Sequence, residues 1–231
     1  MRKTLASFLL VGIVPLVSFS LAACSGTASE QAAESRPSSS TMAQMDHGSM
    51  NSPMPMDHGS MMNMDLGPAD ENFDLRFIDA MILHHQGAIQ MAEEAQQKTS
   101  RSEIQQLAAN IIESQSREEN ELLRAWRQAW YPNASAEPVM YDAASQSMMP
   151  MTALHQQSMA MQMDLGEADE EFDLRFMNAM IPHHEGAVAM AQEALEKSDR
   201  PEVKELAQNI IDSQQQEIDQ MVQWRKDWYG Q

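Results

Sequence analysis

The stretch "FIDAMILHHQGAIQM", Phe77 to Met91, returns ninety-nine residues later as "FMNAMIPHHEGAVAM", Phe176 to Met190. Its apolar residues recur at helical rather than strand spacing. On a wheel of about 100° per residue, Phe77, Met81, Ala88, Ala92 and Ala95 share one stripe. His84 falls about 60° to one side of its centre and His85 about 40° to the other, with Met91 beside His84. Met180, His183, His184 and Met190 repeat the pattern in the second copy. Asp74 and Asp173 also line up with the stripe, free either to pair with Arg76 and Arg175 or to cap the bundle end.

The duplication extends outward. "MDLGPADENFDLRF" (64–77) matches "MDLGEADEEFDLRF" (163–176), "LAANIIESQ" (107–115) matches "LAQNIIDSQ" (206–214), and "WRQAWY" (126–131) matches "WRKDWY" (224–229). The offset shortens by one residue between the last two matches, so one copy carries a one-residue insertion. Each copy reads as two long helices. The first spans about 70–98 and 169–197, with Asp70 and Asp169 as N-caps. The second opens at the capping patterns "SRSE" (100–103) and "DRPE" (199–202) and stops at Pro132 and Gly230. One hairpin alone would leave an apolar face wet. Two packed together give an all-α four-helix bundle, with Trp126, Trp130, Trp224 and Trp228 packing the hairpin ends.

The remaining segments are of another kind. Residues 1–23 open with Arg2 and Lys3, turn apolar and end in small residues, as a secretory leader does. Leu21-Ala22-Ala23-Cys24 resembles a lipobox, which makes Cys24 the lipidated mature N-terminus and the membrane anchor of an envelope lipoprotein. Cys24 is the single cysteine, so no intramolecular disulfide forms. Residues 24–63 hold almost no branched apolar side chains and read as a disordered Met/His-rich arm. Its repeat "MDHGSM" supplies Met45, His47, Met50 and again Met56, His58, Met61. The domain plan is therefore leader, arm, first hairpin (64–132), Met-rich linker (133–162) and second hairpin (163–231). Residues 140–163 of "MYDAASQSMMPMTALHQQSMAMQM" concentrate methionine around His155, and with the arm they read as weak, exchanging metal sites.

The formal charge of −19 argues against nucleic acid or anionic lipid as partners and favours cations. A methionine on an apolar stripe is ordinarily core, and a lone inward histidine is ordinarily hydrogen-bonded. Four imidazoles and four thioethers at one level of a bundle are poor packing material, because each buried imidazole needs polar partners. Metal coordination would satisfy them. Di-iron bundles place Glu three residues before the inward His. Here Met81 and Met180 occupy those positions, and no Glu-x-x-His occurs in the chain. Thioethers in place of carboxylates favour Cu(I), with Ag(I) as a mimic, and imidazole also admits Cu(II). Gly87 and Gly186 each cost a helix about 1 kcal/mol and permit close approach. Pro182, where the other copy has Leu83, is expected to kink its helix.

The "AMIxHHxGAxxMA" core, "NIIxSQ" and "WRxxWY" resemble the bacterial domain of unknown function 305 family, which includes periplasmic copper-binding proteins of the CopM type. The resemblance covers about 64–231. It implies a ferritin-like four-helix bundle that binds copper. It also implies Met81, His84, His85, Met91, Met180, His183, His184 and Met190 as ligand candidates. The expected function is non-catalytic sequestration or delivery of copper in the envelope, with a copper-transfer protein as partner. The competing readings are a copper oxidase or reductase and a structural bundle without metal. The chain lacks both the di-iron carboxylates and the cysteine–histidine ligand set expected of a blue-copper site.

Overall fold

A computed structural model describes residues 65–231. The leader, Cys24 and the arm's Met45, His47, Met50, Met56, His58 and Met61 lie outside the described residues. Four helical rods form the bundle. In the first copy α1 (Phe73–Lys98) is followed by α2 (Ser102–Arg117), a π-helical stretch (Glu118–Leu123) and α3 (Arg124–Trp130). In the second copy α5 (Phe172–Lys197) is followed by α6 (Pro201–Tyr229). α1 and α5 each carry an aspartate in the first turn and a lysine in the last, matching the helix dipole. Among the described residues no helix is long and apolar enough to cross a membrane.

The π-helical stretch explains the offset between the copies. The second copy runs as one 29-residue α-helix through the equivalent region. One extra residue in an α-helix is accommodated by widening a turn to i→i+5 bonding. The first copy does this at Glu118–Leu123, with backbone angles on both flanks still helical.

Helix starts differ from the expected caps. α1 begins at Phe73, and Asp70 serves the turn before it. Its Oδ1 accepts the Asn72 N–H at 2.9 Å and Arg76 Nη1 at 2.9 Å. Asp169 does the same for Glu171 (3.0 Å) and Arg175 Nη2 (2.9 Å). An aspartate that bonds the backbone two residues on makes a turn of its own, which holds it outside the helix. The capping boxes at Ser100 and Asp199 do not form either. Thr99 and Ser198 hydroxyls accept the N–H of Arg101 and Arg200 at 3.1 Å each, so the bend comes one residue earlier and the helices start at Ser102 and Pro201.

α1 and α5 cross antiparallel, so the halves of the two copies interleave. One apolar cluster joins the first half of α1 (Phe73, Phe77, Met81) to the second half of α5 (Met190, Ala194) and the start of α6 (Val203, Ile210). The other joins the second half of α1 (Ala88, Met91, Ala95) to the first half of α5 (Phe172, Phe176, Met180), with Ile104 and Ile111 of α2 and Met221 of α6. Each large side chain buried there contributes about 1.5–3 kcal/mol. The ends are fastened crosswise. Arg200 meets Asp74 at 3.2 Å and lies 4.2 Å over the Trp130 ring. Arg101 meets Asp173 at 3.1 Å and lies 4.3 Å over Trp228. Asp74 and Asp173 therefore pair with the opposite copy, since Arg76 and Arg175 are already engaged by Asp70 and Asp169. Trp126 stacks on Trp130, and Trp224 on Trp228.

The stretch between the hairpins is itself folded. β1 (Val139–Asp142) pairs antiparallel with β2 (Ser147–Pro150), and α4 (Ala153–Ala160) follows. Asp79 of α1 fastens this unit by accepting from the Val139 N–H at 3.0 Å and from Arg127. Burial raises the Asp79 pKa, and the hydrogen bond from Arg127 opposes that. In the second copy Asn178 stands at the equivalent place and accepts from Arg225 instead (3.0 Å).

Candidate metal centre

Between the two apolar clusters lies a layer of imidazoles. His84 and His183, one from each copy, meet where α1 and α5 cross, with ring centroids 3.8 Å apart. His183 and His184 rings are 6.2 Å apart, edge to face. All four histidines, 84, 85, 183 and 184, are fully buried. Met81 and Met190 lie on one side of the layer and Met91 and Met180 on the other, each 0–1 % exposed.

The hydrogen bonds fix what each ring can offer. His85 Nε2 lies 2.9 Å from Glu118 Oε2, and His184 Nε2 lies 2.7 Å from Glu217 Oε2. A carboxylate accepts, so Nε2–H donates, and Nδ1 of each ring is left without a partner. His183 Nε2 donates to the Ala160 carbonyl at 3.1 Å, which leaves its Nδ1 free in the same way. His84 has no partner on either nitrogen. Five ring nitrogens are thus buried without a partner: Nδ1 of all four histidines and Nε2 of His84. An unpartnered buried polar atom costs about 1–3 kcal/mol. Such a layer is expensive as packing and apt as a ligand set.

The electrostatics keep the His84 and His183 rings neutral. Burial drives the His84 pKa well below its ordinary value, and His183, His85 and His184 reinforce this. Burial likewise lowers His183 to about 3, helped by His184 and opposed by the Ala160 hydrogen bond. Neutral imidazole is the form that coordinates metal.

Glu118 and Glu217 are the residues that sequence reading missed. Each stands 33 residues after its histidine, on the neighbouring rod. A carboxylate on the far nitrogen orients a ligating ring and raises its basicity. Their equal spacing in the two copies was the available signal. Among the described residues, no three His, Cys, Asp or Glu side chains stand where they could hold a metal ion together. A metal here therefore needs the thioethers, a turn of the rings, or both.

The folded linker covers one side of the layer. A Cβ on Gly87 would sit 1.7 Å from the Ala160 carbonyl oxygen and 3.2 Å from His183 Nε2. Gly87 thus admits the end of α4 as well as a helix neighbour. α4 ends at Met161 in the left-handed conformation (φ 46°). α5 continues as one helix through Pro182.

The family model "Domain of unknown function (DUF305)" matches residues 21–126 and 74–225, and the chain belongs to that family. CopM solved with Cu(II) is 40% identical, with 68% of this chain and 97% of that chain covered and a TM-score of 0.54. CopM solved with Cu(I) is 38% identical over the same shares, with a TM-score of 0.52. A DUF305 protein from Streptomyces coelicolor, 22% identical over 67% of this chain and 92% of that one, shares the fold (TM-score 0.50). The uncharacterized protein L153 of Acanthamoeba polyphaga mimivirus is 43% identical over 49 residues, which are 21% of this chain and 32% of that protein.

Proposed function

We propose that this chain binds copper at the histidine–methionine layer of its bundle and holds it for sequestration or delivery in the cell envelope. The observation that carries the proposal is the set of five partnerless buried ring nitrogens, flanked on both sides by buried thioethers. Neutral nitrogen and sulfur donors without a carboxylate in direct reach suit Cu(I) first and Cu(II) second. Copper-bound structures of CopM, a relative at 38–40% identity, support the same cargo. The ligand set is Met81, His84, His85, Met91, Met180, His183, His184 and Met190, with Glu118 and Glu217 orienting His85 and His184. The arm, Met45 to Met61 with His47 and His58, serves as an accessory collector. The leader and Cys24 support export and lipid anchoring, which would place the bundle near a copper-transfer partner outside the cytoplasm.

The test is an anaerobic Cu(I) titration of the leaderless chain against a chromophoric competitor, repeated with His84, His85, His183 and His184 changed to alanine. Tight uptake lost in the variant supports the bundle centre. Equal weak uptake by both proteins moves the function to the Met-rich segments or away from copper.

A further inference from the structure

The methionines between the hairpins are gathered by the fold and not merely frequent. Met140 comes from β1, Met151 from the residue after β2, and Met159 from the last turn of α4. All three line one cavity of about 150 Å³, together with His155 and Asp65. Met151 is 5 % exposed and belongs to the first apolar cluster, and Met140 and Met159 are half-buried against it. As pure packing the three would close this space. Instead they leave a cavity with thioethers on its wall and an exposed imidazole among its lining residues.

Arg76 also borders the cavity but offers no free positive charge to it. Its Nε donates to the Leu66 carbonyl, its Nη2 to the Pro68 carbonyl at 2.6 Å, and its Nη1 to Asp70 at 2.9 Å. The Asp65 carboxylate also lines the cavity; it accepts the Gly67 N–H at 2.8 Å and lies 3.7 Å from Lys197 Nζ. Three neutral thioethers and one imidazole select a soft monovalent d10 ion over hard divalent ones.

We infer that Met140, Met151, Met159 and His155 form a second, outer site for Cu(I) or Ag(I), separate from the histidine layer. The site is joined to that layer by one residue. Met159 precedes Ala160, whose carbonyl holds His183 Nε2 and abuts Gly87. An ion taken up outside is therefore bound by the same helix that covers the inner ligands, which makes the cavity a loading station for the layer. The choice of cargo rests on the copper-binding proposal, whereas the site rests on its own residues.

The experiment is a titration of the full leaderless chain, carrying 13C-methyl methionine and 15N histidine, with Ag(I) in chloride-free buffer. The Met140, Met151 and Met159 methyl signals are expected to shift together. A triple Met→Leu variant at these positions, which keeps side-chain volume and is checked for an unchanged melting temperature, is expected to bind one equivalent fewer by native mass spectrometry. Methyl signals that stay in place at excess Ag(I), with shifts confined to the arm or the bundle methionines, overturn the outer site. The ring nitrogens of His84, His85, His183 and His184 report on the bundle separately. Pocket methyl shifts and a shifted His155 ring, with those four rings unmoved, would sink the inner centre and leave the outer site standing.

Discussion

The two hairpins carry nearly the same sequence, yet only one histidine of the inner pair has a hydrogen-bond partner. His183 gives its Nε2–H to the Ala160 carbonyl, while His84, its repeat mate, has no partner at all. The Glu–His pairs, in contrast, are the same in both copies, at 2.9 and 2.7 Å. The duplication therefore preserves the Glu–His pairs and varies what lies against the inner histidines. Three differences set the first copy apart. Among the described residues the π-helical stretch occurs only in the first copy, Asp79 holds the linker whereas Asn178 accepts from Arg225, and Gly87 receives the end of α4.

The largest expected effect is on stability against pH. His84 and His183 are held neutral in the folded chain, with pKa values below the unfolded value near 6.5. The unfolded state then takes up protons first as pH falls. Stability is full above about pH 6.5 and declines below it, by up to about 1.4 kcal/mol per pH unit for each histidine. For His183 the decline ends near about 3. Urea unfolding of the metal-free protein between pH 7 and 4 should show this, and His84→Asn and His183→Asn should each remove about half of the slope. A flat profile would mean that the rings are not held neutral.

Next come the orienting carboxylates. Glu118→Gln and Glu217→Gln are each expected to weaken Cu(I) binding about 10–100-fold in competitor titrations. Equal losses would confirm that the copies are equivalent in this respect. A loss at one position only would show that the π-helical stretch has changed the first half-site.

Gly87→Ala sharpens the contrast on the covered side. Helix propensity alone would add about 1 kcal/mol of stability, but the new methyl collides with the Ala160 carbonyl. The net change expected is a loss of about 1–3 kcal/mol, read by thermal melting. Amide exchange over Ala153–Ala160 should also quicken. A stabilised variant would show that α4 does not seat there.

The smallest effect belongs to the crosswise clamps. Arg101→Ala and Arg200→Ala each remove a partly exposed ion pair and a cation–π contact. About 0.5–1.5 kcal/mol each is expected from urea unfolding. The two losses should match, because the clamps are repeat mates.

Periodicity and duplication made the bundle legible. The ends of α1 and α5 at Lys98 and Lys197 and the inward set of four histidines and four methionines follow from spacing within one helix. What could not be read depends on geometry between elements. Glu118 reaches His85 only because the hairpin turns back at a particular height. Asp74 finds Arg200 rather than Arg76 because α1 crosses the other copy antiparallel. The caps at Asp70 and Ser100 were misplaced because side-chain turns bend the chain before the helix begins. The folded linker was hidden by its composition, since two four-residue strands and an eight-residue helix give little periodic signal.

The most direct measurement is a long-range 1H–15N correlation spectrum of the histidine rings, recorded before and after one equivalent of Ag(I). The expected result is a proton on Nε2 of His85, His183 and His184 without metal, followed by large shifts at Nδ1 on metal addition while the Glu118 and Glu217 hydrogen bonds persist. Rings that remain unshifted, or that coordinate through Nε2 with loss of the glutamate bonds, would contradict the histidine layer as the metal centre.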